Sequence, residues 1–431
     1  MKTILKTSAP IVIAFLLQSA FNVVDAFFVG QISSEALAAV SISFPVVFLI
    51  IALGSGVGMG TTSVIARLIG SREYKRADNA AEHALLAAGF LGIGLSVCGL
   101  LTAPVLFDWI GASGSLKSLA LDYINILLFF AGFMLFSMVG NSILRAEGDM
   151  KTPMKVMGLA VILNTILDYL FIYTLGWGVQ GAAFATILSR GFSMLYLMHH
   201  IFTGKSLIQL DYRNFKYNFS HIKNIFAVGI PSSLSNISMS VGMFLLMVIV
   251  GSYGTDALAA FGIGFRLDAL AILPGMGVSI AVISIVGQSI GAGKIDRARK
   301  VTLRAGLMAS AFMTVIGVIF YVFAEEIITV FNSNPMVIEY GTSFLHIIPL
   351  SYLVVGVGMS ISAVFLGSGK AVLALVTTIL RVIVFSVPAA YLLSQQYGVS
   401  GVWWGMVLGS FLGFSVTLFL FRFGGWEKTR L

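Results

Sequence analysis

Long apolar runs punctuated by Gly, Pro or charge recur along the whole chain. They fall at residues 10–30, 40–65, 84–106, 119–144, 154–175, 179–201, 225–250, 258–286, 302–324, 341–367, 371–394 and 401–421. A helix of about twenty apolar residues crosses a hydrocarbon core ~30 Å thick. The pattern therefore predicts an all-α membrane protein with twelve transmembrane helices. Breaks at Gly, Pro and charged clusters set the connections between spans.

Polar residues inside these runs are few and patterned. Span 1 (PIVIAFLLQSAFNVVDAFFVG) carries Gln18, Asn22 and Asp25 at i, i+4 and i+7, on one helical face. Span 5 carries Asn164 and Asp168, again one turn apart, and span 6 carries Thr186. At a rise of about 1.5 Å per residue, Asp25, Asp168 and Thr186 all lie ~20–22 Å from the same membrane face. A carboxylate at such depth costs at least ~2.5–3.5 kcal/mol on insertion scales and marks an ion, proton or substrate path; the competing role is a polar contact between helices. Two carboxylates, an amide and a hydroxyl form an all-oxygen set suited to a hard cation such as Na+. Two neighbouring carboxylates can equally hold one shared proton.

Composition agrees with the hydropathy pattern. Of 431 residues, 58% are hydrophobic and 10% charged, against about 25% charged in soluble domains, and the mean hydropathy is +0.98. Only Lys2 and Lys6 precede span 1 and no small-residue cleavage site follows, so span 1 is expected to be retained. Cys98 is the single cysteine, which excludes an internal disulfide. The net charge of +8 is a topology signal. Of 26 Lys and Arg residues, 22 fall in the N-terminus, the even-numbered connections and the C-terminus, Arg213 and Arg430 among them, and the odd-numbered connections hold only Lys117. The positive-inside rule then places both termini in the cytoplasm of a cell-membrane protein. The same distribution speaks against nucleic acid as a partner and leaves lipid as one.

The chain is also a repeat. A shift of 221 residues superposes Pro10 on Pro231, Val29-Gly30 on Val250-Gly251, Ala36-Leu37-Ala38-Ala39 on Ala257-Leu258-Ala259-Ala260, and Ile69-Gly70 on Ile290-Gly291. Gly178 and Gly181 match Gly398 and Gly401 at a shift of 220. Six spans per repeat is an even number, so the two copies share one orientation and a pseudo-two-fold axis along the membrane normal. The expected organisation is an N-lobe at 1–201 (spans 1–6), a cytoplasmic linker at 202–224 and a C-lobe at 225–431 (spans 7–12), with a central cleft. The copies differ where the chemistry lies: Gln18, Asn22 and Asp25 correspond to Met239, Met243 and Leu246.

Twelve spans in two halves, Pro10, Gln18 and Asp25 in span 1, the Val29-Gly30 connection to Leu37-Ala38-Ala39, and Val286-Gly287-Gln288 with Gly291-Ala292-Gly293 after span 8 together resemble the multidrug and toxic compound extrusion (MATE) family across the whole chain. Asn164, Asp168 and Thr186 resemble its archaeal and DinF-like branch. The resemblance implies that Asp25, Asn164, Asp168 and Thr186 bind the coupling H+ or Na+ in the N-lobe, with Gln18 and Asn22 in the same polar network. It implies export of amphipathic, usually cationic drug-like compounds, with Asn141 and Met157 lining the cargo pocket. Arg190 departs from the family pattern one turn beyond Thr186: a fixed positive charge there either opposes a cationic pocket or pairs with Asp168. The acids that other branches carry in spans 7 and 10 are absent, so no C-lobe cation site is carried over.

Arg266 and Asp268 in span 8 are two residues apart and do not face each other, so a structural ion pair is expected through another helix, with Arg381 of span 11 as the candidate for Asp268. No phosphate loop, nucleophile elbow or zinc-protease motif occurs, so an enzyme is not expected, and no cofactor beyond the coupling ion. A flippase for a lipid-linked precursor is the alternative. It predicts several cations for a pyrophosphate, whereas away from their ends the spans hold only Arg190, Arg266 and Arg381. A passive channel would move solute without an ion requirement. The two-lobe design needs one chain, so a monomer is expected.

Overall fold

The computed structural model describes residues 2–211 and 215–428; Arg213 and Arg430, and residues 212–214 of the expected linker, lie outside the described residues. All regular structure among the described residues is helical. The N-terminal spans are α1 (Lys2–Ile32), α2 (Ser34–Gly70), α3 (Tyr74–Trp109), α4 and α5 (Gly114–Phe129 and Ala131–Glu147), α6 (Lys151–Asp168) and α7 (Gly178–Phe202). Helices α4 and α5 are bent by 50° at Phe130 and form one broken span. The second set comprises α8 (Phe219–Gly251), α9 (Thr255–Gly291), α10 (Ile295–Val322), α11 (Ala324–Phe331), α12 (Pro335–Ile347), α13 (Tyr352–Gly367), α14 (Ala371–Ile379) and α15 (Val387–Phe423). Pro349 tightens the α12–α13 junction into a 3-10 turn within one span. Gly398, at φ 59° and ψ −143°, breaks α15 so that its two parts serve as the end of span 11 and as span 12. The chain thus has twelve spans, six in each half.

Contacts divide the chain into two compact units, Ile13–Ile230 and Met1–Val12 with Pro231–Leu431. The exchange of helix starts has a steric cause in the glycines of α2 and α9. A Cβ on Gly60 would lie 2.1 Å from the Ile225 carbonyl oxygen, and one on Gly229 would lie 3.0 Å from that of Gly56, so the start of α8 lies directly on α2. In the other unit a Cβ on Gly277 would lie 2.5 Å from Val12 and 3.4 Å from the Ser8 oxygen. Glycine here permits backbone approach that any side chain would block. Gly277 and Ser8 are the repeat counterparts of Gly56 and Gly229, so both units use one device.

Other contacts confirm the duplication atom by atom. Gly30 faces Leu37 and Gly251 faces Leu258; Gly54 faces Met138 and Gly275 faces Met359. Gly178 and Gly398 have φ of 56° and 59°, and Arg72 at φ 63° corresponds to Gly293 at 70°. Each unit has its own apolar core, one around Val139, Ile143 and Leu197, the other around Phe261, Phe344 and Trp403.

In the first unit the segment after α7 is strapped down. Glu147 accepts from the Leu207 amide at 2.7 Å, Asp78 from Gln209 at 2.9 Å and Glu82 from Asp211 at 2.8 Å. Alternate amides of an extended stretch face one side, and here each meets a carboxylate, while Ile208 is buried. Farther along, Asn79 donates to the Lys216 carbonyl at 3.0 Å and the Asn218 amide donates to His83 Nε2 at 2.9 Å. His83 Nδ1 in turn donates to the Asn79 carbonyl at 2.7 Å, which fixes the neutral tautomer.

Candidate ion and cargo site

Three helices of the Ile13–Ile230 unit supply the polar groups. Asp25 sits seven residues before the end of α1 and is buried, as are Asn164 and Asp168 on α6 and Thr186 on α7. The α-helix gives way at Asp168 to a wider π-helical segment, Tyr169–Thr174. Such widened turns occur often at functional sites, because they re-aim side chains and free backbone groups.

Thr186 Oγ1 donates to Asp25 Oδ1 at 3.5 Å, the outer limit of a hydrogen bond, so Asp25 is held loosely. Asp25 and Asp168 are close enough for their charges to interact. Asn164 and Asp168 are fully buried, and neither oxygen of Asp168 nor either polar atom of the Asn164 amide has a partner among the described residues. Buried polar groups in native proteins almost always have a partner, and leaving one unmet costs about 1–3 kcal/mol. Four such atoms on adjacent turns form an unmet set of donors and acceptors beside Asp25.

The remaining polar groups of α1 form a chain beside this site. Arg190 Nη2 donates to Gln18 Oε1 at 3.1 Å, and Gln18 Nε2 donates to Asn22 Oδ1 at 3.2 Å. The Arg190 guanidinium also lies 4.8 Å from the centre of the Phe21 ring, a cation–π contact. Its charge acts on Asp25. Of the two roles open to Arg190, the side chain therefore turns toward α1 and leaves Asp168 without a hydrogen bond.

Asn141 is half-buried on α5 with its Oδ1 lacking a partner. Met157 is half-buried on α6, two turns before Asn164 and on the same face. Tyr123 of α4 is the residue that sequence reasoning missed: it is buried within electrostatic reach of both Asp25 and Asp168. Its signal in the sequence was the short polar cluster Asp122, Tyr123 and Asn125 near the start of span 4.

In the other unit, Asp268 accepts a 2.8 Å hydrogen bond from the Tyr352 hydroxyl, with the charge of Arg381 acting on it from a greater distance. Arg266 makes no ion pair with it among the described residues. Asp268 is thus held by a hydroxyl first and by a cation second.

Comparison with known proteins gives a consistent picture. The MatE family model matches residues 10–170 and again residues 231–392, the same two copies found by shifting the chain on itself. The probable multidrug resistance protein NorM of Thermotoga maritima is 29% identical over 99% of this chain and 93% of its own length. The FAD transporter of Shewanella oneidensis is 29% identical over 93% of this chain and 90% of its own length. The outward-facing structure of a multidrug resistance MATE family transporter superposes with a TM-score of 0.94 at 34% identity, covering 99% of this chain and 97% of that one.

Proposed function

The chain belongs to the MatE family, and on that premise we propose a secondary-active exporter of amphipathic organic compounds, driven by H+ or Na+ bound at Asp25 and Asp168. The observation that carries the coupling site is the set of four buried, unpartnered polar atoms on Asn164 and Asp168, beside a loosely held Asp25. A proton or Na+ there would meet the carboxylates, the Asn164 oxygen and the Thr186 hydroxyl, and would offset the penalty those groups otherwise incur. Oxygen ligands of this kind suit hard cations.

Coupling then follows from differential affinity. Ion binding draws Asp25 and Asp168 together, which pulls α1 toward α6 and releases the hold of Arg190 on the charge of Asp25. Arg190 reaches Gln18 and Phe21 on the same helix, so the change spreads to the wall where cargo would lie. Export requires only that cargo bind the ion-free arrangement more tightly than the ion-bound one, since a ligand shifts an equilibrium by its differential affinity and no more. Alternating access is the corresponding cycle.

Arg190 also bears on cargo. Its guanidinium hydrogen-bonds to neutral Gln18, so its charge remains available, and the wall holds both signs. A mixed wall accepts amphipathic cations and admits anionic or zwitterionic compounds too. The named cargo of the Shewanella relative, FAD, is anionic, in line with this breadth. The skew of Lys and Arg supports a cell-membrane protein with cytoplasmic termini.

The test is efflux from proteoliposomes with a pH gradient and a Na+ gradient imposed separately. Asp25→Asn should reduce gradient-driven efflux of a fluorescent organic cation to the level of empty vesicles while the protein still inserts. Efflux by Asp25→Asn equal to wild type would overturn the assignment.

A further inference from the structure

The repeat that places an ion-paired, strapped surface at the start of α3 places an open, basic one at the start of α10. Position by position, Arg76, Asn79 and His83 become Arg297, Lys300 and Arg304. In the first unit Arg76 pairs with Glu73, holding that carboxyl below its usual range. Asn79 and His83 are engaged by the strap, whose Phe215 and Tyr217 rings lie 4.8 Å and 5.7 Å from the His83 ring. In the second unit Lys294 stands where Glu73 would be. Arg297, Lys300 and Arg304 have no carboxylate partner among the described residues; the one ion pair on that turn, Arg299 with Glu427, lies on the adjacent face.

These three cations repeat at i, i+3 and i+7 on one face of α10. With Thr3 and Ile4 of α1 they line a cavity of about 370 Å³. Arg304 is shared with a second groove of about 430 Å³ that continues down the same face past Leu307, Phe312 and Val315, with Leu5 as its other wall. Leu307, Phe312 and Val315 are 66%, 45% and 61% exposed. From Arg304 to Val315 the helix rises ~16 Å, about one leaflet of a ~30 Å hydrocarbon core. A basic pocket opening into an apolar groove one leaflet long is complementary to one kind of molecule.

We propose that this face of α10 binds one anionic phospholipid, its phosphate held by Arg297, Lys300 and Arg304 and an acyl chain laid along Leu307, Phe312 and Val315. The site lies at the end of the spans where the chain's Lys and Arg concentrate, so it faces the leaflet that topology makes positive-side. Basic pockets between helices on that side recognise anionic headgroups by charge. The first unit closes the equivalent surface with its own chain; the second offers it to lipid.

The test is native mass spectrometry of the full chain in detergent, offered equal amounts of dioleoylphosphatidylglycerol and dioleoylphosphatidylcholine. The expected result is one phosphatidylglycerol per chain, retained about tenfold or more over phosphatidylcholine. Arg297→Gln/Lys300→Gln/Arg304→Gln should bring the two lipids level. Arg304→Gln alone, the milder change should the triple variant fail to fold, should cut retention severalfold, while Arg299→Gln on the adjacent face should leave it unchanged. Glycerol phosphate, which has the headgroup charge without the chains, should fail to displace the lipid. Equal retention of both lipids by wild type, retention untouched in the Arg304→Gln variant, or full displacement by glycerol phosphate would each overturn the proposal.

Discussion

The two copies share a backbone device at nearly every turn and diverge in how they treat polar groups deep in the helices. In the first unit, α1 and α6 hold Asp25, Asn164 and Asp168, with four buried atoms unpartnered. In the second, Leu246 replaces Asp25 and is buried in the core with Phe261 and Phe344 close by. A Cβ on Gly242 would lie 2.0 Å from Val382, so α8 packs closely against the widened Leu380–Ser386 turn. The carboxylate that the second unit does hold within a span, Asp268, is answered by Tyr352. Duplication supplied two equal scaffolds. What differs is the kind of group left unpartnered among the described residues: a carboxylate and its neighbouring amide in the first unit, hydroxyls and one indole N–H in the second.

The sharpest way to break this comparison is to move the carboxylate. Leu246→Asp places an unanswered charge in the packed unit and should cost ~2.5–3.5 kcal/mol or more on insertion scales. The measurement is yield and thermal unfolding in detergent, where Leu246→Asp should fall well below wild type and Asp25→Leu should match or exceed it. Equal losses in the two variants would mean that the units tolerate charge alike.

A smaller effect sharpens the other contrast, between the strapped start of α3 and the open start of α10. Glu82→Ala removes the acceptor of the Asp211 amide, a charged hydrogen bond worth ~1.5–3 kcal/mol. Hydrogen exchange at residues 207–211 should accelerate about tenfold or more, since local opening is set by such bonds. Leu303→Ala, the matching change on α10, should leave exchange in that segment as it was.

Much of this organisation was legible from residues alone. The twelve runs, the 221-residue shift and the stripe of Gln18, Asn22 and Asp25 are periodic features, and helix geometry converts period into position. Asn164, Asp168 and Thr186 were reachable by counting depth. The partners were not. Which atom Arg190 meets depends on how α7 is rotated against α1, a tertiary quantity, and the structure turns it to Gln18 and Phe21. Tyr123 joins the site through the way α4 packs against the helices that carry Asp25 and Asp168, which is again a tertiary quantity. The exchanged helix starts were half visible: the glycines of α2 announce close approach, but Ile225 and Gly229 as the approaching backbone follow from packing. Tyr352 as the partner of Asp268 comes from a helix distant in sequence.

The central claim, that the first unit's unpartnered groups are the coupling-ion site, is tested most directly by ion binding to the purified protein, apart from transport. Binding of 22Na+ and proton release on Na+ addition would be followed for wild type and for Asp25→Asn/Asp168→Asn. The account predicts saturable binding of one of the two ions by wild type, lost in the double variant while the fold melts as before. Ion binding that persists undiminished in the double variant would place the coupling site elsewhere and return Asp25 and Asp168 to a structural role.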